Sequence, residues 1–362
     1  MTTIINGSSP SITFSDGSAQ TSATRPFLNR IINGAMVIDQ RNAGASVTAT
    51  TGTVYSVDRF FVQGSVTSKF TVQQSSTAPA GFTNSLLLTS SAATTPSASD
   101  YYYFAQSIEG FNVADLDWGT ANAKTITISF WVRSSLTGTF SGAVLNSATD
   151  RSYAFTFTIN SANTFEYKTV TIVGDTSGTW LKTNDDGIRV RFALGAGSSF
   201  LQSAGSWGTG NVVGATGTTQ WISTNGATFY ITGVQLEVGS TATSFDYRPY
   251  GTELALCQRY YWKGGLKSVS AVASGKCNST SDANFYVAYP VPMRATPTLT
   301  ENTLVIDYAN TTATFGSSSL YASTTSALYN TQTVTGSPLT AGQGVVLRCS
   351  ADTSYIDFTA EL

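Results

Sequence analysis

Alternation of apolar and polar residues recurs along this chain and restricts most of it to β structure. Such runs lie at 126–133 (ITISFWVR), 155–159 (FTFTI) and 187–194 (GIRVRFAL), with Gly-, Asp- and Thr-rich turns between them. Successive side chains of a strand point to opposite faces, so each run presents one apolar face to a core. No amphipathic helical pattern of 10–15 residues alternates with the runs, which disfavours a parallel α/β fold. The pattern predicts an all-β sandwich over residues 27–250.

The last long run of this region contains a shift of its apolar phase. Phe229 and Ile231 alternate with polar neighbours, but after Gly233 the apolar positions continue at Val234 and Leu236. A glycine at such a shift is typical of a β-bulge, which inserts one extra residue into a strand. We therefore predict a bulged strand that closes the sandwich core.

A short helix is predicted where the sandwich ends. Thr252 can cap a helix that continues to about Tyr261, and Gly264 then ends it. Leu254, Cys257 and Tyr261 would share one face of this helix at spacings of three and four residues. A helix placed between two β regions predicts a hinge between two domains.

The chain therefore divides into an arm and two domains. Residues 1–26 hold few apolar side chains and a strong Asp16-Gly17 turn signal, which predicts an extended arm that pairs with another chain or a partner protein. A disordered tail is the alternative for this segment. Residues 27–250 form the predicted sandwich, and residues 251–362 form the linker helix and a smaller C-terminal β-sandwich domain with polar loops.

Composition excludes several classes of partner. The chain has 19 basic and 21 acidic residues, and only 11% of its residues are charged. No basic stripe stands out, so nucleic acid is not an expected partner. No run reaches the ~20 apolar residues of a membrane span, and the first residues lack the pattern of a secretion signal. The three cysteines, widely spaced, are expected to be buried reduced thiols from a cytosolic folding environment.

The absence of histidine removes most familiar catalytic sites. Ser-His-Asp and Cys-His nucleophiles and histidine-ligated metals all need it. No GxxxxGK[ST] loop for nucleotide phosphates is present, and no cofactor is expected. Paired carboxylates, as in glycan hydrolysis, remain. The candidates are Glu109, Asp115, Asp117, Asp185 and Asp186. Turn chemistry and solvated edges account for them, so no catalytic residue is assigned and the chain is not expected to be an enzyme.

A calcium site is the other chemistry that the acidic turn allows. Asn184, Asp185 and Asp186 offer hard oxygen ligands of the type that Ca²⁺ prefers. One short acidic turn supplies too few ligands by itself, so no metal is assigned.

Aromatic residues on polar faces are the candidate carbohydrate-binding residues. A flat ring can stack on the C–H face of a sugar, while neighbouring amides and hydroxyls bind its hydroxyl groups. Trp131 lies on the polar face of its run, Trp207 lies in a Gly/Ser-rich loop, Trp221 follows Gln220, and Tyr102 lies in a run of three tyrosines. The alternative is that these rings cover a core or a subunit interface, where Trp and Tyr are also enriched.

Several segments resemble bacteriophage tail-fibre and related virion proteins. The segments are NRIINGAMVIDQRNAG, YSVDRFFV, FAQSIEG, ITISFWVRSSLTGTFS, GVQLEVGSTATSFDYRPYGTELALCQRYYWK and YPVPMRATPT, and the arm segment ITFSDGSAQTSA is also similar to fibre sequences. The resemblance covers most of residues 27–300. It implies a central jelly roll like that of carbohydrate-binding modules, a homotrimer, a place in the virion after folding in the host cytoplasm, and attachment to the host surface. It carries over no ligand-binding residues.

These observations lead to one expected function and two alternatives. We expect a trimeric, non-enzymatic tail fibre that binds host surface polysaccharide and docks onto other virion proteins through its N-terminal arm. A decoration or connector protein of the capsid or tail, without a receptor role, is the first alternative. A tail spike that degrades glycans with a pair of carboxylates is the second.

Overall fold

The computed structural model describes residues 27–265, 267–308, 311–335 and 339–362, together with three short strands that precede them. These strands are β1 (Ile4–Asn6), β2 (Ser11–Thr13) and β3 (Ala19–Gln20). They pair with one another as a small antiparallel sheet in the order β1-β2-β3. The strand-like part of the predicted arm is therefore paired within its own chain. The rest of residues 1–26 lies outside the described residues, and the anchoring role of the arm stays a prediction.

The first domain contains fifteen strands that form two large antiparallel sheets and one small parallel pair. The strands are β4 (Val47–Thr48), β5 (Val54–Tyr55), β6 (Phe61–Gly64), β7 (Phe70–Ser75), β8 (Ser85–Ser90), β9 (Tyr101–Glu109), β10 (Ile126–Ser134), β11 (Gly138–Leu145), β12 (Ser152–Ile159), β13 (Glu166–Ile172), β14 (Asp186–Ala196), β15 (Leu201–Gln202), β16 (Trp207–Gly208), β17 (Gly214–Ala215) and β18 (Thr228–Val238). Single 3₁₀ turns lie at Gly110–Asn112, Ala114–Leu116, Ser198–Phe200 and Trp221–Ser223.

The two large sheets pack face to face as a jelly-roll sandwich. One has six strands in the order β13-β10-β18-β8-β7-β4, and the other has seven in the order β16-β12-β11-β14-β9-β6-β5. Alternate residues of these runs fill the space between the sheets. They are fully buried in β10 (Ile126, Ile128, Phe130 and Val132) and in β14 (Ile188, Val190, Phe192 and Leu194). Phe104 and Phe192 stack at the centre with ring centroids 4.9 Å apart. The all-β sandwich expected from the alternation is confirmed.

The bulge predicted at Gly233 is present in β18. Ser129 of β10 pairs with Gln235, whereas Trp131, two residues on, pairs with Thr232, three residues back. One extra residue of β18 therefore lies between these two pairs. The inward set changes accordingly from Phe229 and Ile231 to Val234 and Leu236, all of them buried.

The second domain begins with one helix, and its strands close into a barrel. Its elements are α1 (Tyr250–Gln258), β19 (Tyr261–Gly264), β20 (Ala271–Cys277), β21 (Asp282–Ala288), β22 (Thr298–Asn302), β23 (Leu304–Tyr308), β24 (Thr311–Ser323), β25 (Ala327–Thr335), β26 (Gly344–Cys349) and β27 (Tyr355–Thr359). Six strands form a closed barrel in the order β20-β21-β25-β24-β23-β26, and β19, β27 and β22 form a separate sheet. The smaller C-terminal β domain is thus present, and it consists of a six-stranded barrel and a separate three-stranded sheet.

The helix boundaries differ from those predicted. The helix begins at Tyr250, because the backbone N–H groups of Thr252 and Glu253 already donate to the carbonyl of Pro249, and Thr252 makes no side-chain cap. It ends at Gln258, since Tyr261 instead opens β19 and pairs with Thr359 of β27. Tertiary strand pairing overrides the local helical pattern at this point.

Paired charges join the two domains. Glu361 accepts from Arg41 at 2.8 Å and also pairs with the fully buried Arg59. Glu109 of β9 forms a two-pronged ion pair with Arg259, with its shorter contact at 2.6 Å. Buried charges are stable only when they are paired and hydrogen-bonded, so these contacts couple the domains.

The three cysteines are free and buried, as expected. Within the described parts of the chain, no helix is long and apolar enough to cross a membrane.

We predict that Asp58 at the domain junction makes stability depend on pH. Its carboxylate is fully buried, accepts two hydrogen bonds from Gln40, and has its pKa raised by burial to about 7. The same group ionises near pH 4 in an unfolded chain. Its stabilising contribution is therefore complete below about pH 4 and is lost as the pH rises towards 7, by on the order of 1 kcal/mol per pH unit.

Urea unfolding at pH 4.5 and pH 7 measures this effect. The free energy of unfolding should fall less steeply with pH in Asp58→Asn than in the wild type. Asp352→Asn, which changes an exposed carboxylate, is the matched control and should keep the wild-type slope. An Asp58→Asn variant with the wild-type slope would show that Asp58 is ionised in the folded protein at both pH values.

Candidate functional site

An aromatic groove lies on the outer face of the six-stranded sheet. Its volume is about 580 Å³. The side chains that line it come from β10, β13, β18, the loop before β8 and the loop after β18. They are Phe82, Ser129, Trp131, Tyr167, Gly233, Ala242, Thr243, Ser244, Phe245 and Tyr247. None of these residues carries a charge, so the groove suits a neutral ligand with an apolar face.

Strand pairing places two rings side by side in this groove. Trp131 of β10 lies directly opposite Tyr167 of β13, and their ring centroids are 5.4 Å apart. Residues of β10 alternate, so the burial of Phe130 and Val132 in the core turns Trp131 to the outer face. Tyr167 is 43% exposed, and Trp131 is half-buried. Both rings are therefore accessible to a ligand.

The bulge shapes the floor of the groove. Gly233 has φ +62°, a backbone conformation that favours glycine. A Cβ at this position would lie 2.6 Å from Cζ of Phe82 and 3.2 Å from Cδ1 of Trp131. The missing side chain thus lets both rings approach the backbone of β18.

Three further rings form the opposite wall. Phe82, Phe245 and Tyr247 pack against one another, with centroid separations of 4.8–5.5 Å. The Tyr247 hydroxyl donates to the carbonyl of Gly81, which ties the two loops together. Burial raises the pKa of Tyr247, so its ring stays neutral at ordinary pH.

Buried polar residues of β18 hold the loop that carries this wall. Glu237 accepts from the backbone N–H and the hydroxyl of Thr243, each at 2.8 Å. Gln235 accepts from the backbone N–H of Asp246 at 2.8 Å and donates to Glu237. Because both side chains are fully paired and shielded from water, the loop is held in one position over the sheet.

The structure separates the four aromatic residues predicted to bind carbohydrate. Trp131 lies in the groove. Trp207 is half-buried in a cluster with Trp118 and Trp180, and its indole N–H donates to the carbonyl of Val173 at 2.7 Å. A ligand-binding role for Trp207 stays a prediction.

Trp221 and Tyr102 must be corrected as site residues. Both are 0% exposed and belong to the sandwich core. Trp221 opens a 3₁₀ turn and its ring lies in the core, and Tyr102 packs edge-to-face against Phe70 at 6.5 Å. Neither ring can contact a ligand on the surface of this structure.

Sequence reasoning missed the other rings of the groove. Tyr167 lies on the polar face of the alternating run EYKTVTI, and a position of the same kind identified Trp131. Phe245 and Tyr247 lie on either side of one aspartate in the polar hinge TSFDYR. No strand or helix was predicted there that would bury them. Phe82 carried no signal of its own, since its loop meets the groove only through tertiary contacts.

The candidate carboxylates lie in ion pairs. Asp115 pairs with Arg30 at 2.8 Å, and Asp117 lies 3.5 Å from Lys182. Glu109 is held by Arg259 and by the Tyr260 hydroxyl at 2.6 Å. Burial opposes ionisation of Glu109, but these donors outweigh it and lower its pKa. A catalytic general acid needs the opposite shift.

The acidic turn considered for calcium is engaged with protein groups. Asp186 pairs with Arg189 at 2.5 Å and accepts from the Ser107 hydroxyl, while Asp185 lies 3.5 Å from Arg294. Asn184 donates through its side chain to the carbonyl of Arg294. The turn therefore serves the contact between the two domains.

Comparison with known proteins gives only remote structural likenesses. No family model matches the chain, and no curated protein matches it. The chain is similar to the enzymatically active domain of tailspike protein 4 of bacteriophage CBA120, with 14% identity and a TM-score of 0.31 over 60% of this chain and 22% of that one. It is also similar to the family 11 carbohydrate-binding module of a Clostridium thermocellum cellulase, with 13% identity and a TM-score of 0.27 over 56% of this chain and 98% of that one.

The chain thus spans about a fifth of the tailspike that it matches. A family 4 carbohydrate-binding module shows a comparable likeness, with 17% identity and a TM-score of 0.29 over 57% of this chain and 98% of that one. Likenesses at this level carry no argument about site residues, and the groove is described from the geometry of this chain alone.

We predict that Gly233→Ala disrupts the groove. The new methyl group would meet Phe82 and Trp131 and would also hold a non-glycine residue at positive φ. We expect a loss of about 2–4 kcal/mol in the free energy of unfolding, from backbone strain of about 1 kcal/mol and overpacking of about 1–3 kcal/mol. Chemical denaturation measures it.

Gly226→Ala is the matched control. Gly226 has φ +74°, and nothing lies within 4 Å of a Cβ placed there. It should therefore show the backbone cost of about 1 kcal/mol alone. Equal losses in the two variants would show that the rings do not press on Gly233.

Proposed function

We propose that this chain is a non-enzymatic carbohydrate-binding protein of a phage particle, and that its groove holds a neutral sugar of a host surface polysaccharide. The observation that carries the proposal is the position of Trp131, half-exposed beside Tyr167 in a groove without charged lining residues. The indole ring would stack on the C–H face of the sugar. The neighbouring hydroxyl of Ser244, in the exposed loop, can bind sugar hydroxyls.

The preformed shape of the groove supports binding over a purely structural role. Phe82 and Tyr247 are fixed by ring packing, and the loop after β18 that carries Tyr247 is also fixed by Glu237. A site that is ordered before the ligand arrives loses little conformational entropy on binding. An open row of rings between fixed walls is the arrangement that an extended sugar chain requires.

The phage assignment rests on the sequence resemblance to tail fibres. In this proposal the chain acts in the virion as a receptor-binding protein, with the N-terminal arm docked onto other virion proteins. A homotrimer would give avidity for a repeated surface glycan.

The absence of catalysis is supported by the state of the carboxylates. Glycan hydrolysis needs one carboxyl with a raised pKa and a second across a groove. The groove has no acidic lining residue, and Glu109 is engaged in an ion pair that lowers its pKa. The carboxylate positions thus favour a fibre that holds its glycan intact.

We predict that Trp131→Ala weakens binding to the polysaccharide at least about tenfold, since a central aromatic anchor commonly contributes about 2 kcal/mol. Affinity electrophoresis through gels that contain bacterial surface polysaccharides measures the retardation of the purified protein. Trp131→Phe, which keeps a flat ring, should keep part of the affinity.

Phe111→Ala is the control, because Phe111 is exposed but lies outside the groove. It should be retarded like the wild type. Unchanged retardation of Trp131→Ala would remove the groove as the binding site. A shortened polysaccharide, measured by size-exclusion chromatography after incubation, would contradict the non-enzymatic assignment.

A further inference from the structure

A second recess lies on the outer face of the seven-stranded sheet, on the other side of the sandwich from the groove. Alternation in β14 buries Val190 in the core and turns Arg189 and Arg191 outward. Tyr101 and Tyr103 of the neighbouring β9 line the same recess. The segment that follows β14 partly covers it, and its volume is about 180 Å³.

Arg191 is a buried cation without a carboxylate partner. Arg191 is only 2% exposed to solvent. One terminal nitrogen, Nη1, donates to Oδ1 of Asn211 at 2.6 Å and to the carbonyl of Val212 at 3.0 Å. The guanidinium also lies 4.6 Å from the ring centroid of Tyr103. Its Nε is buried and has no hydrogen-bond partner among the described residues, and no carboxylate of those residues lies within ion-pair distance.

Arg189, in contrast, is already neutralised. Its Nη2 pairs with Asp186 at 2.5 Å, and its Nε donates to the Ser107 hydroxyl at 3.1 Å. Asp186 is thus engaged by Arg189. The recess therefore keeps one uncompensated positive charge, that of Arg191.

An uncompensated buried charge is costly, and an anion would offset the cost. Neutral acceptors such as the Asn211 amide satisfy only part of a guanidinium's five N–H groups. Burial lowers the pKa of Arg191, which is the direction expected for a cation removed from water. Arginine binds carboxylates in a planar, two-pronged geometry that is stronger than neutral hydrogen bonds.

The mouth of the recess adds a surface for a sugar ring. Tyr101 is half-buried and packs edge-to-face against Phe200, with ring centroids 5.0 Å apart. This contact fixes the orientation of the Tyr101 ring. The side chain of Gln63 lies at the same recess and accepts from the Tyr103 hydroxyl. A bare inorganic anion would leave the Tyr101 ring unused, whereas the ring of a sugar that bears a carboxylate could pack against it.

We propose that this recess binds the carboxylate of an acidic sugar, such as a uronic acid residue, with Arg191 as its counter-ion and Tyr101 as the surface against which the sugar ring packs. The site is separate from the groove at Trp131. It would let the sandwich distinguish acidic glycans from neutral ones, because only an acidic ligand supplies the missing charge.

Titration of the full chain with D-glucuronate, glucose, acetate and inorganic phosphate tests the proposal. Saturation-transfer NMR and the shift in thermal midpoint report binding. We expect glucuronate to bind saturably and at least tenfold more tightly than the other three. Arg191→Met should weaken glucuronate at least tenfold. Tyr101→Ala, at a half-exposed position, should fold normally and should bind glucuronate no more tightly than acetate.

Two results would overturn the proposal. Equal binding of glucuronate and glucose would show that Arg191 takes no anion and only supports the Asn211 segment. Acetate or phosphate binding as tightly as glucuronate would show a general anion site without a sugar component. Phe111→Ala, at an exposed position outside both sites, should leave glucuronate binding unchanged. Polysaccharide retention tests the groove and glucuronate titration tests this recess, so failure of this site and failure of the groove are distinguishable.

Discussion

The groove at Trp131 depends on the pairing of β10 with β18 and on the one extra residue at Gly233. A strand shows alternate side chains to alternate faces, so a shift of one residue exchanges the two sets. The bulge makes this exchange inside β18, which keeps Ile231 and Leu236 both in the core. The missing side chain at Gly233 leaves room above the sheet for the rings of Phe82 and Trp131. Core packing and groove geometry are therefore set by the same backbone feature.

Charge in this protein is concentrated where elements meet. Glu109 and Glu361 are held by arginines across the domain junction, and Asp186 is held within the sandwich. Each of these carboxylates is held in place as the partner of a cation. Acidic groups that the sequence offers as candidate catalysts thus have a structural explanation, and the groove itself stays uncharged.

The two outer faces of the sandwich differ in chemistry. The face at Trp131 is aromatic and neutral, whereas the recess at Arg191 holds a buried positive charge. Aromatic stacking selects the shape of a ligand, and a desolvated cation selects its charge. These terms act on different parts of a polymer, so one domain can combine them.

The sequence by itself determined the sandwich, the bulge at Gly233 and the outward position of Trp131, because each follows from a local period of two. It could not locate Phe82 or Tyr247 in the groove, since their loops meet only when the sheet is complete. It also misplaced Trp221 and Tyr102. Trp221 lies in a 3₁₀ turn and Tyr102 lies in β9, and both rings are buried in the core. Only the tertiary structure decided that Tyr261 begins a strand, because its pairing with Thr359 spans most of the second domain. Local periodicity specifies which face a residue takes, but contacts between distant segments decide what covers that face.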